Sequence, residues 1–98
     1  MSLKELKLAP IKVEFFGIPR QRAGVAQLEI PCESSLSLAS VLSQLESRFP
    51  DLAAECFRDG MLQEGYIASV DGRKFVASAD LEVRSGQSLL IMSSDAGG

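Results

Sequence analysis

The chain ends in Gly97-Gly98, and the chemistry open to such an end belongs to its backbone carboxyl. Glycine has no side chain, so this end can enter a narrow channel in another protein and bend to meet a nucleotide. A carboxylate delivered in that way can attack the α-phosphate of ATP and become an acyl-adenylate. The nucleotide can then be exchanged for a sulfur or an amine. None of these steps needs a catalytic side chain from the chain itself. The composition agrees, because there is no histidine among the 98 residues. That excludes a Ser–His–Asp triad, a Cys–His pair, an HExxH zinc site and an imidazole base. Cys32 and Cys56 are too few and too far apart for a four-cysteine zinc or iron–sulfur site, and they read as small buried residues. No metal site and no cofactor bound by this chain are expected. Asp71-Gly72 reads as a turn rather than a metal loop. Glu14 and Glu29, read as neighbours across two strands, are surface charges of a sheet rather than an acid/base couple.

Ten basic residues against thirteen acidic ones leave a formal charge of −3. Such a balance gives no overall attraction to nucleic acid or to an anionic membrane. The opening MSLKELKLAP is too charged for a secretory segment, and no apolar run approaches membrane-spanning length. With only two cysteines, a reducing compartment is expected, and hence the cytoplasm. A chain of this length makes one small domain. It suits a carrier, adaptor or subunit better than a catalyst acting alone.

The elements that must position the tail follow from hydrophobic period. Ile11, Val13 and Phe15 alternate with Lys12, Glu14 and Phe16, which predicts a half-buried strand. Gly17, Pro19 and Gly24 punctuate a turn carrying Arg20 and Arg22. Ala26, Leu28 and Ile30 share one side of a second strand, closed by Pro31, so the two strands form an antiparallel hairpin. Leu38, Val41, Leu42, Leu45 and Phe49 fall on one face of a helix with Ser37 as N-cap, Leu36 as staple and Pro50 as stop. Residues 51–57 suit a second short helical turn, and 58–65 read as loop. Tyr66–Val70 is extended, Asp71-Gly72 is a two-residue hairpin signal, and Lys74–Val76 returns. Residues 77–85 are a mixed connection. Gln87–Ser93 is a short apolar run suited to a central strand, with Leu89 and Ile91 on one face and Leu90 and Met92 on the other. The order β-β-α-β-β-β predicts an α+β β-grasp (ubiquitin-like) roll, a mixed sheet of about five strands with one main helix. A right-handed crossover makes its first and last strands central and parallel. The expected division is a leader over 1–10, the β-grasp domain over 11–93 and a flexible tail over 94–98. Six residues beyond Met92 reach roughly 20 Å when extended.

Four stretches carry a family resemblance: Ile11–Arg20 (IKVEFFGIPR), Ser37–Leu45, Tyr66–Gly72 (YIASVDG) and Val83–Gly98 (VRSGQSLLIMSSDAGG). In order and end position they resemble the MoaD/ThiS family of ubiquitin-like sulfur carriers, and within it the small subunit of molybdopterin synthase. The resemblance implies that an E1-like enzyme uses ATP to adenylate Gly98. A sulfur donor of the desulfurase or rhodanese type then makes a thiocarboxylate. The large synthase subunit accepts the tail, and sulfur passes to a pterin precursor of the molybdenum cofactor. On this reading the chain is a sulfur-donating subunit. Gly98 carries the reacting atom, and Gly97 keeps the approach unobstructed. Phe16, Phe75, Leu90 and Met92 share the sheet face that docks partners in the family, and Arg20 pairs with a partner carboxylate. The chain departs from the family pattern at Ser93-Ser94, where two prolines are usual, and at the charged Asp95, which bears on which partners it meets. Thiamine- or cysteine-pathway sulfur carriage, a protein modifier joined to lysines through Gly98, and an interaction domain with an inert tail are the competing readings.

Overall fold

The computed structural model describes residues 9–76 and 80–94, with backbone alone at 74–76. A five-stranded mixed sheet is built from β1 (Ile11–Phe15), β2 (Gln27–Ile30), β6 (Tyr66–Val70), β7 (Lys74–Val76) and β9 (Ser88–Ser93), in the order β2-β1-β9-β6-β7. The last strand is therefore the middle one. It runs parallel to β1, with Val13 opposite Leu89 and Phe15 opposite Ile91. On its other side it runs antiparallel to β6, with Tyr66 opposite Ser93. The expected hairpin of β1 and β2 is present, and its register sets Lys12 against Glu29 and Glu14 against Gln27. Glu29 thus faces a lysine rather than Glu14, a one-pair correction that turns an expected like-charge pair into a favourable one.

The main helix, α2 (Leu38–Arg48), forms for the reasons its sequence gives. Ser37 caps it, its hydroxyl accepting from the Ser40 N–H at 3.1 Å. Leu38, Val41, Leu42 and Leu45 are fully buried, forming the apolar stripe that packs the inner sheet face. Ile11, Val13, Phe15, Ala68, Leu89 and Ile91 meet that stripe in one core. The Phe49 ring stands edge-on to Phe15, with centroids 5.9 Å apart. At Phe49 the chain turns directly into α3 (Pro50–Cys56), the expected second helical segment.

Three short features go beyond the expectations. The loop after β1 contains a helix, α1 (Ile18–Ala23), with Pro19 in its first turn and Gly24 at its C-cap, the asymmetry such helices favour. Leu36 lies in a short strand, β3 (Ser35–Ser37), which pairs antiparallel with β8 (Glu82–Arg84) and sets Leu36 opposite Val83. The stretch read as loop holds a small hairpin of β4 (Phe57–Arg58) and β5 (Met61–Leu62). Its two connecting residues, Asp59 and Gly60, have φ of 54° and 82°, the both-positive pattern of a type I′ turn. Asp71-Gly72, with φ of 55° and 71°, makes the expected turn, closed by the Arg73 N–H to the Val70 carbonyl at 3.0 Å. The register sets Val70 opposite Lys74, however, so three residues rather than the expected two connect β6 and β7. The Asp71 carboxylate accepts from the Ser88 N–H at 2.8 Å, so this turn is also tied to the start of β9. No helix among the described residues is long and apolar enough to cross a membrane.

Candidate functional site

The candidate site is the end of β9, where the chain leaves the sheet. Parallel pairing with β1 sends the C-terminal end of β9 toward the loop that holds α1. The Phe16 N–H donates to the Ile91 carbonyl at 3.0 Å, and the exposed Ser94 donates its N–H to the Gly65 carbonyl at 2.8 Å. Gly97 and Gly98 lie outside the described residues.

Beside this exit the sheet presents the face opposite α2. Leu90 and Met92 lie on it, half-buried, because Leu89 and Ile91 point into the core. Phe16, directly after β1, is 43% exposed. The structure therefore brings Phe16, Leu90 and Met92 together at one end of the sheet. It adds Ile67, the register partner of Met92, which sequence reading passed over although its strand was found. Phe75 holds the register position opposite Ser69, which itself pairs with Leu90; its side chain lies outside the described residues. Ser69 is 1% exposed, and its hydroxyl has no hydrogen-bond partner among the described residues. Arg20 is exposed on α1, which packs against α3 and the end of β9. On the same helix it is Arg22 that forms an ion pair, 3.5 Å from Glu55.

A cluster at the base of the tail was not anticipated. An open groove of about 270 Å³ is lined by Ile18, Glu55, Gln63, Glu64, Gly65, Tyr66 and Ser93. Tyr66 donates its hydroxyl to Glu55 Oε2 at 2.9 Å, and Gln63 donates its amide to the Glu55 carbonyl at 2.8 Å. Burial, and then the Glu55 bond, push the Tyr66 phenol up to about 12. Burial also pushes the neighbouring Cys56 thiol up to about 11, against the opposing hydrogen bond from Tyr66. A thiol held that far from ionisation is a poor nucleophile. Cys56 and Cys32 are both free and buried, as expected of small core residues. Another groove, about 610 Å³, is lined by Pro10, Glu29, Pro31, Cys32 and Glu33. It lies at the opposite end of β1 from the tail exit. Among the described residues no group of histidine, cysteine or carboxylate side chains is placed to hold a metal ion.

Neither a family model nor a curated protein matches the sequence. Solved structures do. Small archaeal modifier protein 1 from Haloferax volcanii superposes with a TM-score of 0.75 at 19% identity, over 92% of this chain and 100% of the other. The protein of that name from Methanosarcina acetivorans gives 0.72 at 20%, over 94% and 99%. A Pyrococcus furiosus protein described as molybdopterin converting factor, subunit 1, gives 0.67 at 25%, over 87% and 97%. The fold is the ubiquitin-like β-grasp in its MoaD/ThiS-like form. The match runs over nearly the whole of each partner chain, so the β-grasp is shared as a unit rather than as a common fragment. Within it, the strand that leads to the tail is the central one, the position least able to shift.

Proposed function

We propose that this chain is a ubiquitin-like sulfur carrier that works through the carboxyl of Gly98, as the small subunit of a molybdopterin synthase. The observation that carries the reading is the delivery of the chain's end. A central strand pinned on both sides releases the last residues at the sheet end where Phe16, Leu90, Met92 and Ile67 gather. In the proposed cycle an E1-like enzyme takes up the tail. The Gly98 carboxylate attacks the α-phosphorus of ATP, and pyrophosphate leaves. The outer sulfur of a persulfide on a desulfurase- or rhodanese-type donor then displaces AMP to give an acyl disulfide. A thiol reductant cleaves its S–S bond, releasing the thiocarboxylate and taking up the donor sulfur as a disulfide. The large synthase subunit receives that tail, and its sulfur passes to a pterin precursor of the molybdenum cofactor. The body supplies docking surface and direction, and ATP is bound by the activating partner. On this reading the protein works in the cytoplasm, with its partners.

The likeness to a molybdopterin converting factor subunit supports the pathway. The likeness to two small archaeal modifier proteins supports a second reading, in which the same activated carboxyl is joined to lysine side chains. Both readings share the acyl-adenylate and differ in the acceptor. The test is reconstitution with the E1-like enzyme, a sulfur donor, ATP and the large synthase subunit. Formation of the pterin dithiolene by the full chain, and none after deletion of Gly97-Gly98, is the expected result. Equal activity after that deletion would leave the tail inert and remove both readings. Branched lysine peptides bearing this tail in a host lysate, without pterin sulfuration, would favour the modifier.

A further inference from the structure

We propose that Tyr66 and Glu55, with Arg22, form a latch that fixes the point and direction at which the tail leaves the fold, and so are positioning residues for the reaction at Gly98. The inference rests on the carrier reading for its function and on the structure alone for its geometry. The final described hydrogen bond before the tail runs from the Ser94 N–H to the Gly65 carbonyl. Where that carbonyl points is therefore where the tail begins. Gly65 has φ of +100°, a conformation that glycine adopts freely and other residues rarely do, so its direction is set by the bonds on either side of it. The holding converges on Glu55. Its backbone carbonyl accepts from the Gln63 side chain, and its carboxylate accepts from the Tyr66 hydroxyl. Within the turn, Gln63 N–H bonds the Cys56 carbonyl at 2.7 Å and Tyr66 N–H bonds the Gln63 carbonyl at 3.1 Å. Arg22 extends the tie from α3 to α1. Tyr66 is also the register partner of Ser93, so the same residue flanks the tail through its backbone and reaches α3 through its ring.

The Arg22–Glu55 pair is partly exposed and hence the weaker tie. The bond from Tyr66 to a carboxylate is the stronger one. If the latch opens, the Ser94–Gly65 bond no longer fixes the point and direction at which the chain leaves the sheet. The carboxyl then meets the nucleotide less often, although the body docks as before.

The experiment uses the full chain, as wild type, Tyr66→Phe and Glu55→Gln. Both substitutions keep side-chain volume, and Tyr66→Phe removes only the hydroxyl. Amide hydrogen exchange is read at Ser94 and at Leu89 and Ile91, alongside adenylation by the E1-like enzyme. Tyr66→Phe is expected to speed Ser94 exchange about three- to tenfold, the weight of one hydrogen bond. Leu89 and Ile91 stay unchanged, and kcat/KM for adenylation falls by a similar factor. Binding of the body, measured by competition with the chain lacking Gly97-Gly98, stays constant. Glu55→Gln gives a smaller change in the same direction. Unchanged Ser94 exchange in Tyr66→Phe overturns the latch, as does a rise shared equally by Leu89 and Ile91. Faster Ser94 exchange with unchanged adenylation overturns the positioning role. A wild-type chain that is never adenylated sinks the carrier reading instead, and the exchange data still decide whether the latch exists.

Discussion

Tyr66, Glu55 and Cys56 show what a few side chains at the tail base do to the pH response of the molecule. Burial raises both the Cys56 thiol, to about 11, and the Tyr66 phenol, to about 12, with the bond to Glu55 adding to the second. In the unfolded chain the two groups ionise near their ordinary values of 9.0 and 10.0. Folding therefore favours their protonated forms. Their contribution to stability is intact below pH about 9 and is lost as the pH rises toward about 12, because the unfolded state sheds its protons first. The expected outcome is a Tm that falls steadily through that alkaline range. It falls less steeply in Cys56→Ala compared with its own neutral value, as thermal melts followed by circular dichroism would report. None of this was legible in the sequence. Tyr66 and Glu55 lie eleven residues apart, and neither the loop reading of 58–65 nor any periodicity brings them together. The face taken by Leu90 and Met92, by contrast, was legible, since strand alternation assigns faces without a structure; Gly97 and Gly98, read from residue type and position, lie outside the described residues.

At the scale of elements, legibility followed length and period. β1, β9 and α2 repeat their apolar residues often enough to identify both the element and its buried face. The capping bond from Ser40 N–H to Ser37 confirms the predicted start of α2. Ser37→Ala should cost about 1 kcal/mol, read as a lower midpoint with unchanged slope in urea unfolding. Leu45→Ala, which empties part of a fully buried site, should cost about 2–5 kcal/mol by the same measurement. The missed elements are those with too few residues to show a period. β3 and β8 have three residues each and sit far apart in sequence, so only their pairing reveals them. α1 was masked by its own Pro19 and Gly24, which mark a turn as readily as a one-turn helix. The β4–β5 hairpin did have a signal, because Asp59-Gly60 is the same dipeptide type that correctly marked the turn at Asp71-Gly72.

For the whole molecule, the topology fits the proposed role of a small domain that presents its own end. The parallel pairing of the first and last strands puts the tail exit beside the loop after β1. On the proposed reading, the face opposite α2, where Leu90 and Met92 lie, is the docking surface. Met92→Glu introduces a charge on that face without touching the buried residues of β9. It should lower affinity for the large synthase subunit more than tenfold, as for a central apolar contact, and leave Tm within a few degrees of wild type. Isothermal titration and a melt, done on the same sample, check both halves. The central claim concerns the Gly98 carboxyl, and intact-mass spectrometry tests it most directly. After incubation with the E1-like enzyme, ATP and a sulfur donor, the chain should gain the mass of one oxygen-to-sulfur exchange, localised to Gly98. A folded chain that gains no such mass, while a known carrier does so beside it, would contradict the account.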